Sequence, residues 1–387
     1  MRGPFCLNNR GLRCAWTFVL IVLAGGAQGT EAVHAFIMGL PKTELHVHLE
    51  GTIEPEDYLA LVDRNGLDSA YATPEAVRER LTYQRDLDTF IEVYEELLSA
   101  LTTARDFEEA VVRYAARVAP QGVVYVEMFF DPQMHTSRGI ALEDVMAGLK
   151  AGSARAAAEQ GVEIAYIACF NRDRSAESAH AHLEKLVEYQ DVILGIGLDN
   201  PEVIDFPEKF QTVFARAGEL GFRLTTHLDV NVPNTLTHHR DAIELLGVER
   251  IDHGLNVIDD TALVDTVVGR GIGLTGCATL MYRHEPGAPE TKARLTERFG
   301  RVRRLLDAGV EISLNSDDPG MMRGLYLGDL YLLGYEGGYL TLGELAALAR
   351  HGFHTAWLAP AERAEYLQRL DTFVASHPAM VAAHGGD

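Results

Sequence analysis

The chain has 387 residues, of which 47% are hydrophobic and 23% are charged, so it can bury a large core and is not globally disordered. Its formal net charge of −22 argues against a general nucleic-acid binder, because phosphate binding depends on clustered Lys and Arg. The length fits one large domain or two ordinary ones, and the acidity favours a small-molecule partner, although solubility alone would also explain it.

The first 37 residues have the order of a secretory signal. Three arginines precede an apolar run at 15–24 and then small residues, and the run is too short for a confident membrane span. Met38 is an alternative start of translation. We expect residues 1–37 to be a leader or a mis-set start outside the fold. The protein is then cytoplasmic if translation begins at Met38 (the favoured alternative) and secreted otherwise, and in neither case do we expect a stable membrane partner.

Eight apolar runs of strand length alternate with longer segments of helical period. Near-continuous apolar strands separated by helices indicate a parallel sheet covered on both faces, and eight such units predict a (β/α)8 TIM barrel of class α/β. The predicted strands are residues 44–49, 123–130, 162–170, 192–199, 222–229, 250–254, 272–277 and 311–317.

The segments between these strands predict helices. Residues 53–121 carry at least three helical patterns, an insertion after the first strand that can roof the barrel mouth. Helices are also predicted over 141–160 and 176–188, and from an apolar stripe that begins at Phe206 and ends at Ala217. We expect the barrel to span residues 38–375, followed by a frayed tail over 376–387.

The carboxyl ends of the predicted strands carry a candidate metal site. In such barrels the active groups come from these ends, and imidazoles with a carboxylate suit zinc or ferrous iron. Two of the histidines share one face of the first strand, because residues i and i+2 point the same way. The polar residues at these ends are His46, His48, His227, His253, Asp317 and Asp318.

Each of these residues also has a purely structural interpretation. The pair His46 and His48 can be core or surface histidines, and His227 alone can be a hydrogen-bonded core histidine. The Asp317-Asp318 pair before a proline can be a turn or a helix cap. Because candidate ligands occur at the ends of four strands, a metal site is favoured over these structural interpretations.

Three segments resemble the adenosine and adenine deaminases: residues 40–52, 250–254 and 314–319. The stretch 195–202, followed by 207–210, resembles the adenine deaminase branch in particular. The nucleoside branch usually has an Asp in the first motif that contacts the ribose. This chain has Glu50 there, which favours a free base or a substrate that lacks an ordinary ribose contact.

The resemblance implies a ligand set and a reaction. His46, His48, His227 and Asp317 would bind one divalent metal ion, with Zn²⁺ as the first choice over iron, and His253 would orient the attacking water. A metal lowers the pKa of bound water to about 7, which gives a hydroxide that attacks the ring carbon bearing the amino group. Asp317 can take the proton, and ammonia leaves.

The resemblance also implies the residues that border the substrate. Asp318 would bind the purine at N7, and Glu202 with the backbone near Asn200 would lie along the base. Glu50 would take the place of the ribose-binding Asp.

The chain departs from the family at the fifth strand. The family motif is His-Ala-Gly-Glu, in which the Glu protonates ring N1, but this chain has Val230 in place of the Glu. General acids typically contribute about 10²–10⁴-fold in rate. Either Asp229 supplies a carboxyl group, or the substrate needs no acid there, or activity is lost; we favour the first two. A loop cap is the structural alternative for Asp229.

The segment after the seventh strand, residues 277–284, is also unusual for the family, and its Arg283 or His284 could meet an anionic group. We therefore expect a metal-dependent hydrolytic deaminase of adenine, adenosine or a related aminopurine, with no nucleic-acid partner. The rivals are a deaminase of a different heterocycle and a catalytically impaired barrel that binds metal or purine. The sequence does not predict the oligomeric state.

Overall fold

A computed structural model describes residues 29–202, 206–229, 236–279, 284–378 and 380 of the chain. The first part of the expected leader, the expected acid position Val230 and the loop residue Arg283 lie outside these described residues, as does most of the expected tail. Among the described helices, none is both long and apolar enough to cross a membrane.

The described residues form a barrel of eight parallel strands in the order β1 to β8, each paired with the next along the chain. The barrel closes between β1 and β8, where the Asp317 amide donates to the His46 carbonyl and the His48 amide donates to the Asp317 carbonyl, both at 3.0 Å. The strands are Lys42–His48, Val123–Phe130, Glu163–Asn171, Ile193–Asp199, Arg223–Leu228, Arg250–His253, Gly273–Cys277 and Ile312–Asn315. The predicted (β/α)8 fold is confirmed.

Helices cover the outside of the barrel. Four of them, α2 to α5, lie between β1 and β2 and form the predicted insertion. The first described helix, α1, covers residues 29–39. The others, α2 to α15, are Pro55–Asn65, Pro74–Leu81, Leu87–Leu98, Ala104–Val118, Pro132–Thr136, Leu142–Gln160, Ala176–Leu186, Gln211–Glu219, Leu236–Asp241, Thr261–Arg270, Pro289–Asp307, Leu327–Glu336, Leu342–Thr355 and Pro360–Ala375.

Strands β5 and β8 end earlier than predicted, at positions that belong to the candidate site. Strand β5 ends at Leu228 because Asp229 adopts a left-handed backbone with φ of 70°, and β8 ends before Asp317, whose φ is 65°. A left-handed residue breaks the extended conformation on which sheet pairing depends. The site residues therefore begin where regular pairing stops.

Helix α9 begins later than its apolar stripe. Phe206 and Phe210 are buried with Val213, as the stripe predicts, but the α-helix covers only Gln211–Glu219. Pro207 explains the difference, because a residue before proline is disfavoured in the helical conformation.

The amino-terminal boundary requires a correction. We expected residues 1–37 to lie outside the fold, but residues 29–39 form α1, and its side chains Val33, Phe36 and Ile37 are buried. The buried Lys42 Nζ donates to the carbonyls of Ile37 and Leu40, both at 2.7 Å, which fixes the end of this helix against β1. Helix α1 is part of the packed barrel.

Candidate metal centre and active site

Three histidines from β1 and β5 converge at the carboxyl end of the barrel. The Nε2 atom of His227 lies 3.0 Å from Nε2 of His46 and 3.1 Å from Nε2 of His48. The Oδ1 atom of Asp317 completes the group at 3.3 Å from His46 Nε2 and 3.7 Å from His48 Nε2. All four side chains are nearly inaccessible to solvent.

The neighbours of two imidazoles determine which nitrogen carries the proton. His227 Nδ1 lies 3.0 Å from the carbonyl oxygen of Leu198, which can only accept, so the proton is on Nδ1. His46 Nδ1 lies 3.1 Å from the Thr275 hydroxyl, and that hydroxyl donates to Asp252 at 2.9 Å. The Thr275 oxygen therefore accepts from His46 Nδ1, and both Nε2 lone pairs point into the cluster.

Burial keeps His48 and His227 neutral. It lowers the pKa of His48, and burial together with the neighbouring His46 and His48 lowers the pKa of His227 well below its ordinary value. Burial alone would raise the pKa of Asp317, but its contact with His46 dominates and holds that pKa below the usual range. The cluster thus presents unprotonated nitrogens and an ionised carboxylate.

This donor set fits a divalent metal ion. Nitrogen and oxygen ligands of tetrahedral zinc lie about 2.0–2.2 Å from the ion and hence about 3.3 Å from one another. The separations of 3.0 to 3.7 Å are of that size, and a cation between the donors would relieve the repulsion between the facing Nε2 lone pairs of His46 and His227. The predicted set of His46, His48, His227 and Asp317 is brought together in one place.

His253 stands beside this group. Its ring centroid lies 4.5 Å from that of His46, and it forms a second cluster of ligand-type atoms with His46, Cys277 and Asp317. Burial, followed by the effect of His46, lowers the pKa of His253 to about 3. His253 is therefore a neutral group that can accept or donate a hydrogen bond beside the metal position.

Asp318 follows the ligand Asp317 and is buried in the same wall. Burial, followed by the adjacent Asp317 carboxylate, raises the pKa of Asp318 well above the ordinary value and so favours its protonated form. The Oδ1 atom of Asp318 has no hydrogen-bond partner among the described residues. Gly51 makes room for this side chain, because a Cβ on Gly51 would lie 1.9 Å from Asp318 Oδ1.

A cavity of about 380 Å³ opens above the cluster. Helix α4 forms its apolar roof with Leu87, Phe90, Ile91 and Tyr94, which agrees with the predicted role of the insertion. Polar and charged side chains of the other walls are His48, Asp131, Arg172, Asp199, Asn200, His227, Asp229, His253, Asn256, Thr279, Arg294, Glu297, Arg298, Arg301, Asp317 and Asp318.

Asn200, an expected substrate residue, and Asp229, the candidate acid, both line this cavity, and both have left-handed backbones. Asn200 has φ of 63° and Asp229 has φ of 70°. The Asp229 Oδ2 atom accepts from the Asn256 amide at 2.8 Å, and its Oδ1 lies 3.4 Å from Nε2 of His239. Asp229 thus caps a loop and faces the cavity at the same time.

Two other expected substrate residues lie behind the cavity wall. Glu50 is fully buried; its Oε1 lies 2.6 Å from His135 Nε2, and its Oε2 accepts from the Tyr94 hydroxyl at 3.1 Å. Glu202 is buried with Oε2 at 2.5 Å from His238 Nδ1. The structure places neither carboxylate among the described residues that line the cavity.

The comparison with protein families decides the assignment. The family model described as adenosine deaminase matches residues 41–373, which is most of the chain. The chain belongs to the adenosine deaminase family. The deaminase fold, the enzyme class and the resemblance drawn from the sequence motifs are thereby confirmed.

Two relatives match this chain over nearly their whole length. An uncharacterized deaminase of Schizosaccharomyces pombe is 39% identical over 89% of this chain and 99% of its own. The adenine deaminase of Rhodospirillum rubrum is 38% identical over 87% of this chain and 97% of its own.

Solved structures of two deaminase relatives superimpose well. The adenine deaminase from Arthrobacter aurescens has a TM-score of 0.80 at 33% identity, covering 87% of this chain and 99% of its own. An amidohydrolase from Burkholderia ambifaria, whose crystal structure has bound Zn, has a TM-score of 0.76 at 26% identity, covering 89% and 94%.

The sequence analysis missed several cavity residues of the deaminase. Asp131 directly follows β2, Asp199 is the last residue of β4, and Arg172 follows β3, so the strand-end rule that found the histidines also applies to them. Tyr94 and Arg298 come from helices, and no sequence signal distinguishes them from ordinary helical residues.

Arg172 connects three strand ends. Its guanidinium is buried and donates to the carbonyl oxygens of Asp199, at 2.9 Å, of Asn200 and of His227. This cation holds the carboxyl ends of β4 and β5 in register. The metal-ligand candidate His227 therefore owes its position partly to a residue on a third strand.

Proposed function

We propose that the protein is a metal-dependent aminohydrolase that converts adenine or a related aminopurine into the corresponding oxopurine and ammonia. The observation that carries this proposal is the convergence of three imidazole Nε2 atoms and the Asp317 carboxylate at the floor of a cavity that can hold a purine. The adenine deaminase relatives, 38–40% identical in the examples from Rhodospirillum rubrum and Streptomyces coelicolor, support the substrate class.

His46, His48, His227 and Asp317 would hold one divalent ion, and we propose Zn²⁺. When bound, such an ion supplies Lewis-acid activation of water, whose pKa it lowers to about 7. The neutral His253 is suited to orient that water, because it has both a donor and an acceptor nitrogen. Asp317 would take the proton from that water.

Asp318 would position the purine ring. Ring N7 of a purine is a hydrogen-bond acceptor and requires a donor. A carboxyl group with a raised pKa keeps the proton that it needs to donate, and the Oδ1 atom of Asp318 has no other partner among the described residues. This hydrogen bond would place the amino-bearing carbon toward His253 and Asp317.

Asp229 would supply the acid that the family takes from a Glu one residue later. It lines the cavity, and its Oδ2 atom accepts a hydrogen bond from the Asn256 amide at 2.8 Å. Protonation of ring N1 by Asp229 would neutralise the negative charge that develops as water adds.

The test combines metal content with turnover. Purified protein loaded with Zn²⁺ should bind about one ion per chain and release ammonia from at least one compound among adenine, adenosine and substituted aminopurines. His227→Ala should lose both the ion and the activity, because it removes one of the four ligands.

His180→Ala is the matched control, since His180 is a histidine on the exposed side of α8 and should leave both quantities unchanged. A protein that binds zinc without turnover of any compound in the panel would instead be an impaired barrel. A protein that binds no metal would contradict the proposed site.

A further inference from the structure

One wall of the cavity is basic in an otherwise acidic protein. Arg294 and Arg298 both line the cavity and lie four residues apart on helix α12. Residues at that spacing are neighbours on the same face of a helix. The chain as a whole carries 56 acidic against 34 basic residues, so this pair stands against the overall charge.

These two guanidinium groups have no carboxylate partner among the described residues. Arg298 Nη1 donates to the Cys277 carbonyl at 3.3 Å, and within the described part of the chain no carboxylate oxygen lies within 4.0 Å of either arginine. A third arginine of the same wall, Arg301, is by contrast paired with Asp259 at 2.6 Å and with Glu297 at 3.5 Å.

A carboxylate is present near these two arginines, but it forms its ion pair with a different residue. The Glu297 carboxylate lies between Arg294 and Arg298 in sequence, yet its partner is Arg301. Two like charges at i and i+4 repel each other. Such a pair in a concave wall suits a ligand anion, because guanidinium groups bind carboxylates and phosphates by paired hydrogen bonds.

The position of this arginine pair in the barrel determines which part of a bound ligand it would contact. Helix α12 follows β7, which lies across the barrel from β3, whereas Asp131 and Asp199 line the cavity at the ends of β2 and β4. The arginine pair on α12 thus lies across the cavity from Asp131 and Asp199, which flank the buried Arg172, and the histidine cluster is at the floor.

The size of the cavity leaves room for more than a base. Its volume of about 380 Å³ falls among pockets that hold drug-sized ligands, which are about 300–1,000 Å³. A bare purine is much smaller than such ligands, so a substituent can extend from the ring to the arginine wall.

We propose that the preferred substrate is an aminopurine that carries an anionic group, a carboxylate or a phosphate, and that Arg294 and Arg298 bind this group. The inference rests on the proposed aminohydrolase function and names the substrate class of the same site. The purine ring lies over the histidine cluster, and its anionic substituent reaches α12.

The test compares acids with their neutral counterparts. The probes are 9-(2-carboxyethyl)adenine and N6-(carboxymethyl)adenine, each with its methyl ester, and adenosine 5′-monophosphate with adenosine. Dissociation constants are measured by calorimetry on the zinc-loaded protein, and kcat/KM is measured from formation of the oxopurine. We expect at least one acid to bind about 10- to 100-fold more tightly than its neutral counterpart, as for a hydrogen bond to a charged group.

Variants locate the effect. Arg298→Gln and Arg294→Gln should each reduce the ratio of acid to neutral affinity by about tenfold or more, and raising the salt concentration should reduce it in the unaltered protein. Arg304→Gln is the matched control, because Arg304 is an exposed arginine on α12 outside the cavity, and it should leave the ratio unchanged.

The outcomes separate this inference from the proposed function. A preference for the carboxylates alone, or for the phosphate alone, supports the inference and identifies the source of the anion. If no acid binds more tightly than its counterpart, or if Arg304→Gln changes the ratio as much as Arg298→Gln does, the inference is overturned. Since affinity is measured directly, tight binding of an acid without turnover would support the anion site while contradicting the aminohydrolase.

Discussion

At the scale of single residues, the site depends on backbone conformations that most side chains avoid. Asn200, Asp229, His253 and Asp317 all have positive φ values, between 63° and 70°. Non-glycine residues with such φ values are uncommon and cluster at active sites, where each costs of order 1–3 kcal/mol. The surrounding barrel stabilises these conformations, and the result is a ring of polar groups at the cavity floor.

Asp229 is the residue whose two roles an experiment can separate. Asp229→Asn keeps the shape of the side chain and can still accept from the Asn256 amide, but it cannot serve as an acid. If Asp229 protonates the ring, we expect turnover to fall by about 10²-fold or more while the bound metal and the melting temperature stay near those of the unaltered protein.

The control for that experiment is Asp265→Asn on the exposed side of α11, which should leave turnover unchanged. Turnover at the normal rate in Asp229→Asn would leave Asp229 with the capping role alone. A large loss of metal would show that Asp229 acts through the position of the ligands instead.

At the scale of secondary-structure elements, helix α1 and helix α4 show how segments outside the barrel complete it. Helix α4 covers the cavity and is attached to the wall through Tyr94, whose hydroxyl oxygen lies 3.1 Å from Glu50 Oε2 and 3.3 Å from Asp131 Oδ2. Glu50 thus contacts the site indirectly, through its hydrogen bond with Tyr94 of the roof helix. Helix α1 packs at β1 through three buried apolar side chains.

The contribution of α1 can be measured by truncation. A chain that begins at Met38 should have a free energy of unfolding at least about 3 kcal/mol lower than a chain that begins at residue 29, because it loses the burial of Val33, Phe36 and Ile37. Denaturation by urea at fixed metal concentration measures the difference. Equal stability of the two chains would show that α1 contributes little to the barrel.

At the scale of the whole molecule, closure of the barrel depends on a buried carboxyl group. Glu44 on β1 accepts from the Ser316 amide beyond β8 at 2.7 Å and from the Tyr114 hydroxyl of α5 at 2.9 Å. The group is fully buried, and burial raises its pKa to about 7. Glu44 therefore ties the first strand, the last strand and the insertion together.

This carboxyl group makes stability depend on pH. Because the pKa of Glu44 is higher in the folded chain than the ordinary value of 4.5, its contribution is fully present below pH 4.5 and is lost as the pH rises through 7. The expected loss is up to about 3 kcal/mol, from 1.36 kcal/mol per pKa unit. Urea denaturation between pH 5 and 8 measures it.

Glu44→Gln is the comparison, since the amide does not titrate and should flatten that part of the profile. The buried Lys42 acts in a different window: its pKa is lowered to about 7, so its effect is a rise in stability from pH 7 towards pH 10.5. A profile of Glu44→Gln that matches that of the unaltered protein would contradict the assignment.

The sequence by itself determined the barrel and predicted a candidate ligand set. Strand periodicity and apolar runs depend on local residue order, so eight strands and the insertion could be predicted, and the rule that active groups follow parallel strands found His46, His48, His227, His253 and Asp317 without any distance. The same rule also applies to Asp131 and Asp199, but our prediction of the site did not include these two residues.

Only the tertiary structure decided which residues reach the cavity and which support it. Glu50 and Glu202 lie in motifs, but they are hydrogen-bonded behind the wall, because their positions depend on packing against Tyr94, His135 and His238. Arg298 lies on helix α12, 21 residues after β7 ends at Cys277, and it still reaches the cavity. Contacts between residues far apart in the chain carry no local signal, which is why packing alone reveals the basic wall and the role of α1.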